Sequence, residues 1–139
     1  MSIYCVTEEK MSDQEFHRQA RKYFLPFLLG NNKEARGLAA KISRRLRISS
    51  FILDERPSFK NPFALSYYFA PLTPTDEPRL LCEQLIDYAM QNPSALPILV
   101  STEARYREIT EQNRELLERY FIIREPNALL QTPPLSSID

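Results

Sequence analysis

The sequence predicts an α/β fold, a three-layer sandwich in which a short parallel sheet of about four strands lies between helices. Three observations carry that expectation. Short apolar runs alternate with amphipathic segments of helical period. Each run closes on a turn-forming or acidic residue, as a strand end does. A chain of 139 residues has room for one domain around one core.

The elements follow in order. Ser12 and Glu15 form a capping-box signature, and Phe16, Ala20, Tyr23 and Phe24 recur at helical spacing, which predicts a first helix over 12–23. Phe24–Leu29 is an apolar run closed by Gly30, and its Pro26 puts the strand at a sheet edge or delays it until after the proline. Asn31 and Asn32 can cap the next helix, where Ala35, Leu38, Ala39, Ile42 and Leu46 form one stripe opposite Lys33, Arg36, Lys41, Arg44 and Arg45. Ile48–Leu53 is a second strand, ending on Asp54, Glu55, Arg56 and Pro57. Arg56–Pro78 holds five prolines and no clear period, so it reads as a long connection with a short extended piece at Leu65–Phe69.

Thr75 and Asp76 open another helix with Pro78 in its first turn, and Leu81, Leu85, Ala89 and Cys82, Ile86, Met90 make adjoining apolar rows up to Asn92-Pro93. Pro97–Val100 is a third strand. A fourth helix runs through Ile109, Leu116, Leu117 and Tyr120, with Glu108, Glu111 and Glu115 beside Arg105, Arg107, Arg114 and Arg119 on its wetter side. Phe121–Ile123 is the fourth strand, and from Pro133 onward the chain reads as a frayed tail. Strands alternating with helices imply right-handed crossovers and a Rossmann-like sheet, whose ligands bind beyond the carboxyl ends of the strands. Gly30-Asn31-Asn32, Asp54-Glu55, Ser101-Thr102-Glu103 and Arg124-Glu125 therefore gather on one rim.

Composition narrows the function classes. Eighteen basic and eighteen acidic residues cancel, so no global field favours nucleic acid or an anionic membrane. Two glycines, Gly30 and Gly37, cannot build a Walker A or GxGxxG phosphate cradle, and the single His17 argues against His-based metal sites and Ser-His-Asp triads. Cys5 and Cys82 show neither zinc spacing nor a disulfide framework. Met1–Lys10 lacks the order of a secretory signal and no run approaches the ~20 apolar residues of a membrane span, so a soluble, cytoplasmic chain with reduced thiols is expected.

On the rim, Gly30-Asn31-Asn32 offers close backbone approach before a helix N-terminus, which suits a carboxylate; a tight turn with an Asn cap is the commoner use of the same residues. Asp54, Glu55 and Glu103 could receive an amine or ribose hydroxyls, against the commoner role of solvated caps. Arg44, Arg45 and Arg47 read as a solvated helix face rather than a phosphate cluster. Tyr67, Tyr68 and Phe69 read as anchors of their loop on the core or on a neighbouring chain rather than a base-stacking platform, and His17 as a surface or partly buried side chain.

The run FLPFLLGNNKEARGLAAKISRRLR (Phe24–Arg47), the strand FILDE and the stretch ILVSTEARYREITEQNRELLERYFII (Ile98–Ile123) resemble the N-terminal, pre-ATP-grasp domain of ATP-grasp carboxylate-amine ligases, of the D-aspartate-ligase-like group. The resemblance spans about Phe24–Leu130. Its most specific portion is a strand ending in Ser-Thr-acidic, a helix carrying Tyr106 and Asn113-Arg114-Glu115-Leu116, and an aromatic strand. It implies a Rossmann-like pre-ATP-grasp domain at 24–130, which leaves an N-terminal helical extension at 1–23 and a tail at 131–139 outside it. It further implies the substrate-side domain of an ATP-dependent ligase, not catalytic alone, that packs against an ATP-grasp domain in cis or trans. Gly30, Asn31, Asn32, Thr102 and Glu103 would then contact a small carboxylate or amine substrate, with no catalytic residue or metal ligand in this chain. ATP and magnesium would be held by later domains. Where the family leads into a lysine-bearing segment, this sequence reads Gln131-Thr132-Pro133-Pro134, which sets the expectation of a fragment or a stand-alone relative. The alternative is a non-catalytic interaction module, homodimeric through the apolar 63–72 segment, with neither nucleic acid nor membrane as partner.

Overall fold

In the structure, a computed structural model that describes residues 23–56 and 66–126, the apolar runs become one all-parallel sheet of five strands. The strands are β1 (Phe24–Leu29), β2 (Ser50–Asp54), β3 (Tyr67–Pro71), β4 (Leu96–Ser101) and β5 (Ile122–Ile123), in the spatial order β3-β2-β1-β4-β5. The helices are α1 (Lys33–Leu46), α2 (Pro78–Met90), α3 (Ala104–Gln112) and the single turn α4 (Arg114–Leu117). The α/β sandwich of Rossmann-like type is therefore present. The helix expected over 12–23, except its last residue Tyr23, together with Cys5, His17, residues 57–65 of the long connection and the tail at 131–139, lies outside the described residues.

The period-two alternation of the strands separates two apolar layers. Leu28, Ile52, Ile98 and Val100 join the stripe Ala35, Leu38, Ala39, Ile42 and Leu46 of α1 on one face. Phe27, Leu29, Leu53 and Leu99 pack on the other face with Leu81, Cys82, Leu85 and Ala89 of α2, Tyr106 of α3 and Leu117 of α4. Each of these large side chains is almost fully buried, and such burial stabilises by roughly 1.5–3 kcal/mol per residue. Phe27 stacks on Phe51 at 5.2 Å between ring centroids and meets Phe121 edge-on at 5.6 Å, so aromatic packing ties β1, β2 and the approach to β5.

Four expectations need correction. The sheet has five strands rather than about four, because the extended piece expected at Leu65–Phe69 is a full strand, Tyr67–Pro71, paired in parallel with β2 from Ser50↔Tyr67 to Asp54↔Pro71. Pro26 does not place β1 at an edge: β1 is central. Its ladder to β2 begins only at Phe27, so on that side the pairing starts after the proline, whose missing N–H costs nothing there. The fourth helix is not continuous. It breaks at Asn113 (φ −116°, ψ 25°), whose side-chain amide donates to the Ile109 carbonyl at 2.9 Å beside its own backbone N–H at 3.1 Å, a local side-chain bond that competes with continuation of the helix. Lastly, Met90 is exposed, because it falls on the outward side of α2 with Glu83 and Asp87 while the neighbouring Ala89 faces the core.

The chain crosses between the two halves of the sheet through α2, from β3 at one edge to β4 beside β1. That reversal of strand order sits between β1 and β4, the place where open α/β sheets form their ligand crevice. Among the described residues, no helix is long and apolar enough to cross a membrane.

Candidate functional site at the strand-order reversal

Gly30 leaves β1 with φ +117°, a conformation open to glycine, and its N–H donates to the Leu53 carbonyl at 2.7 Å. A Cβ here would lie 2.6 Å from Thr102 Oγ1 and 3.0 Å from Glu103 Cγ, so the loops after β1 and β4 touch where a side chain would stand. Thr102 is buried, and its hydroxyl lies 3.1 Å from both the Leu29 and Gly30 carbonyls, donating to one at a time. Asn32 caps α1, its Oδ1 accepting the Ala35 N–H at 2.8 Å, while its Nδ2 donates to the Thr102 carbonyl at 3.1 Å. Gly30, Asn32 and Thr102 thus close the crevice rather than line it.

Asn31 begins a second layer of the rim. Its N–H donates to Asp54 Oδ2 at 2.7 Å, and its Oδ1 accepts from Arg36 at 2.8 Å. Asp54, fully buried at the end of β2, also accepts from the Arg56 backbone N–H and Nε, both at 3.0 Å, from Arg56 Nη2 at 2.6 Å and from the Tyr106 hydroxyl at 3.0 Å. Arg56 reaches on to the Glu103 carboxylate and so joins the ends of β2 and β4. Beside them Glu55 pairs with Arg105 at 2.5 Å, accepts the Thr75 N–H at 3.0 Å and lies 3.3 Å from the Tyr106 hydroxyl. Tyr106 is 1% exposed, accepts the Glu55 N–H at 3.2 Å, and carries the Arg105 guanidinium 5.0 Å above its ring.

These contacts set the ionisation of the rim. Burial alone would raise the Asp54 pKa, but hydrogen bonds from the Arg56 side chain, from the Asn31 and Arg56 N–H groups and from Tyr106 outweigh it and hold it at about 2. Glu55 is shifted the same way: burial opposes, and Arg105, the Thr75 N–H and Tyr106 prevail. Burial, reinforced by the neighbouring Asp54 and Glu55 charges, pushes the Tyr106 phenol up to about 12. At neutral pH the two carboxylates are ionised and the phenol is protonated, so none of the three exchanges protons readily. The outer surface of the rim is guanidinium, with Arg56 61% and Arg105 53% exposed and Arg36 exposed beside Asn31.

The fold brings together all five residues singled out as substrate contacts, Gly30, Asn31, Asn32, Thr102 and Glu103, with Asp54 and Glu55, which the sequence also placed on the rim. Arg124 and Glu125 stand apart: the Arg124 N–H donates to the Leu99 carbonyl at 3.0 Å, and Glu125 approaches Arg107 at 4.0 Å beside a small cleft that includes Thr110. Arg44, Arg45 and Arg47 sit at the opposite end of α1 from the rim. Tyr67 is buried, Phe69 half-buried and Tyr68 63% exposed, so these aromatics anchor the edge strand. Sequence reasoning missed Arg56, Arg105 and Tyr106 as rim members. The available signal was the placement of Arg56 directly behind two carboxylates and of Arg105-Tyr106 in the first turn after a strand end. Comparison of the chain with protein-family models, with curated proteins and with solved structures gives no match.

Proposed function

We propose that this chain is the substrate-side domain of an ATP-dependent carboxylate-amine ligase, which binds and orients a small carboxylate at its rim and performs no chemistry alone. The observation that carries the proposal is the pairing of Asp54, Glu55 and Glu103 with Arg56 and Arg105, in which the guanidinium groups are the more exposed partners. Guanidinium donors match a carboxylate in charge and fork geometry, whereas an amine would meet like charge. Asp54 and Glu55 are held too acidic to act as general bases near pH 7. The rim also does not fit magnesium: the Asp54 and Glu55 oxygens are engaged by guanidinium, backbone and phenol donors, and Glu103 is paired with Arg56. ATP and magnesium therefore belong, on this proposal, to an ATP-grasp domain in cis or trans.

Calorimetric titration of the purified chain tests it. Aspartate should bind weakly and in a salt-dependent way, Arg105→Gln should weaken that binding about tenfold, and magnesium-ATP should give no heat of binding. Tight binding of magnesium-ATP by this chain, or aspartate binding indifferent to Arg105→Gln, would overturn it.

A further inference from the structure

The helices α1 and α2, on opposite faces of the sheet, carry opposite charge although the chain as a whole is neutral. Lys33–Arg47, which covers one face as α1, holds six cations and one carboxylate; Asp76–Met90, which covers the other as α2 beside the mixed-charge α3 and α4, holds four carboxylates and one cation. Lys33, Lys41 and Arg44 are exposed, and among the described residues none of them has a carboxylate within ion-pair distance. On α2 the outward stripe Leu80, Glu83, Asp87 and Met90 recurs at spacings of three and four, with Leu80 43% and Met90 61% exposed at its two ends.

Gly37 supplies an independent observation. It lies in the middle of α1, where glycine costs about 1 kcal/mol relative to alanine, yet its φ is not positive and no described atom lies within 4 Å of where its Cβ would be. Nothing inside the described fold requires it. It leaves a shallow gap in the cationic face of α1, while α2 offers protruding Leu80 and Met90 around its acidic centre. The two surfaces match in sign and in relief.

We propose that the α1 face of one copy of this chain docks on the α2 face of a second copy, with Lys41 and Arg44 opposite Glu83 and Asp87 and with Gly37 admitting the apolar ends of the α2 stripe. Because α1 and α2 lie on opposite faces of the sheet, the contact is head to tail, and the pair keeps one free α1 face and one free α2 face, one on each copy. Association continues beyond two copies, and it weakens with salt because the pairs are exposed. This goes beyond the rim reading and uses none of its residues, so either can fail without the other.

Sedimentation velocity of the full chain at low salt should show concentration-dependent oligomers that disperse at about 0.5 M salt, where screening reaches only a few Å. Gly37→Gln should raise the thermal midpoint, since it improves helix propensity, while weakening association about tenfold. Lys41→Gln with Arg44→Gln, and separately Glu83→Gln with Asp87→Gln, should each abolish oligomers; mixing the two variants should restore a 1:1 complex and nothing larger. A wild-type chain that stays monomeric at low salt overturns the proposal, even if a polyanion such as heparin then binds α1. So does a closed dimer that never grows, a Gly37→Gln chain that associates unchanged, or a mixture that fails to pair.

Discussion

Tyr106 joins the two carboxylates at the end of β2 through one hydroxyl, so its removal reaches further than a single hydrogen bond. Tyr106→Phe should destabilise the fold by about 1–2 kcal/mol, read as a lower urea midpoint with unchanged slope, and should raise the Asp54 pKa. Asp54 itself titrates ordinarily at 3.8 and in the fold at about 2, so its contribution is complete above 3.8 and is lost as pH falls through about 2. That difference is worth on the order of 2 kcal/mol. Urea midpoints should therefore drop across this window, and Asp54→Asn should flatten the drop while costing about 2–3 kcal/mol at neutral pH. Gly30→Ala combines a positive φ with a Cβ 2.6 Å from Thr102 Oγ1, and should cost roughly 2–4 kcal/mol in denaturant unfolding. Cys82 is fully buried, and burial pushes its thiol up. It should resist a thiol reagent in the native state and react when the chain unfolds, as mass mapping of the labelled peptide would show.

At the scale of elements, α1 shows what local sequence can reveal and what it cannot. Its buried residues are Ala35, Leu38, Ala39, Ile42 and Leu46, the stripe its period implies, because one helix against one sheet face is a purely local pattern. Its C-terminus hides a strain: Arg47 adopts φ 61°, ψ 36°, a left-handed cap that glycine fills without cost. Arg47→Gly should raise stability by roughly 0.5–1 kcal/mol, visible as a higher thermal midpoint. β3 was harder to delimit because its exposed Tyr68 and Pro71 interrupt the alternation and prolines surround it. Pro97 in β4 repeats the arrangement of Pro26 in β1, with pairing to β5 beginning at Ile98 just after the proline. The strand ends that form the rim were legible one by one. Their partnerships were not, since Arg56 and Glu103 stand 47 residues apart and Tyr106 and Asp54 stand 52 apart, and no local period records such distances.

For the molecule as a whole, the parallel direction of the strands follows from hydrophobic patterning and the alternation of strands with helices, while neither the strand order nor the charge pattern does. The helices α1 and α2 differ in sign because they solvate their outer surfaces with opposite residues, a choice the core does not dictate. The central position of β1 also has a consequence for biosynthesis. β1 leaves the ribosome well before the strand that closes one of its sides: Leu29 meets Thr102 across 73 residues. Translation at ~5–20 residues per second leaves that side unpaired for roughly 4–15 s. During that interval the nascent chain presents an open apolar edge, which is the kind of segment a ribosome-associated chaperone would shield.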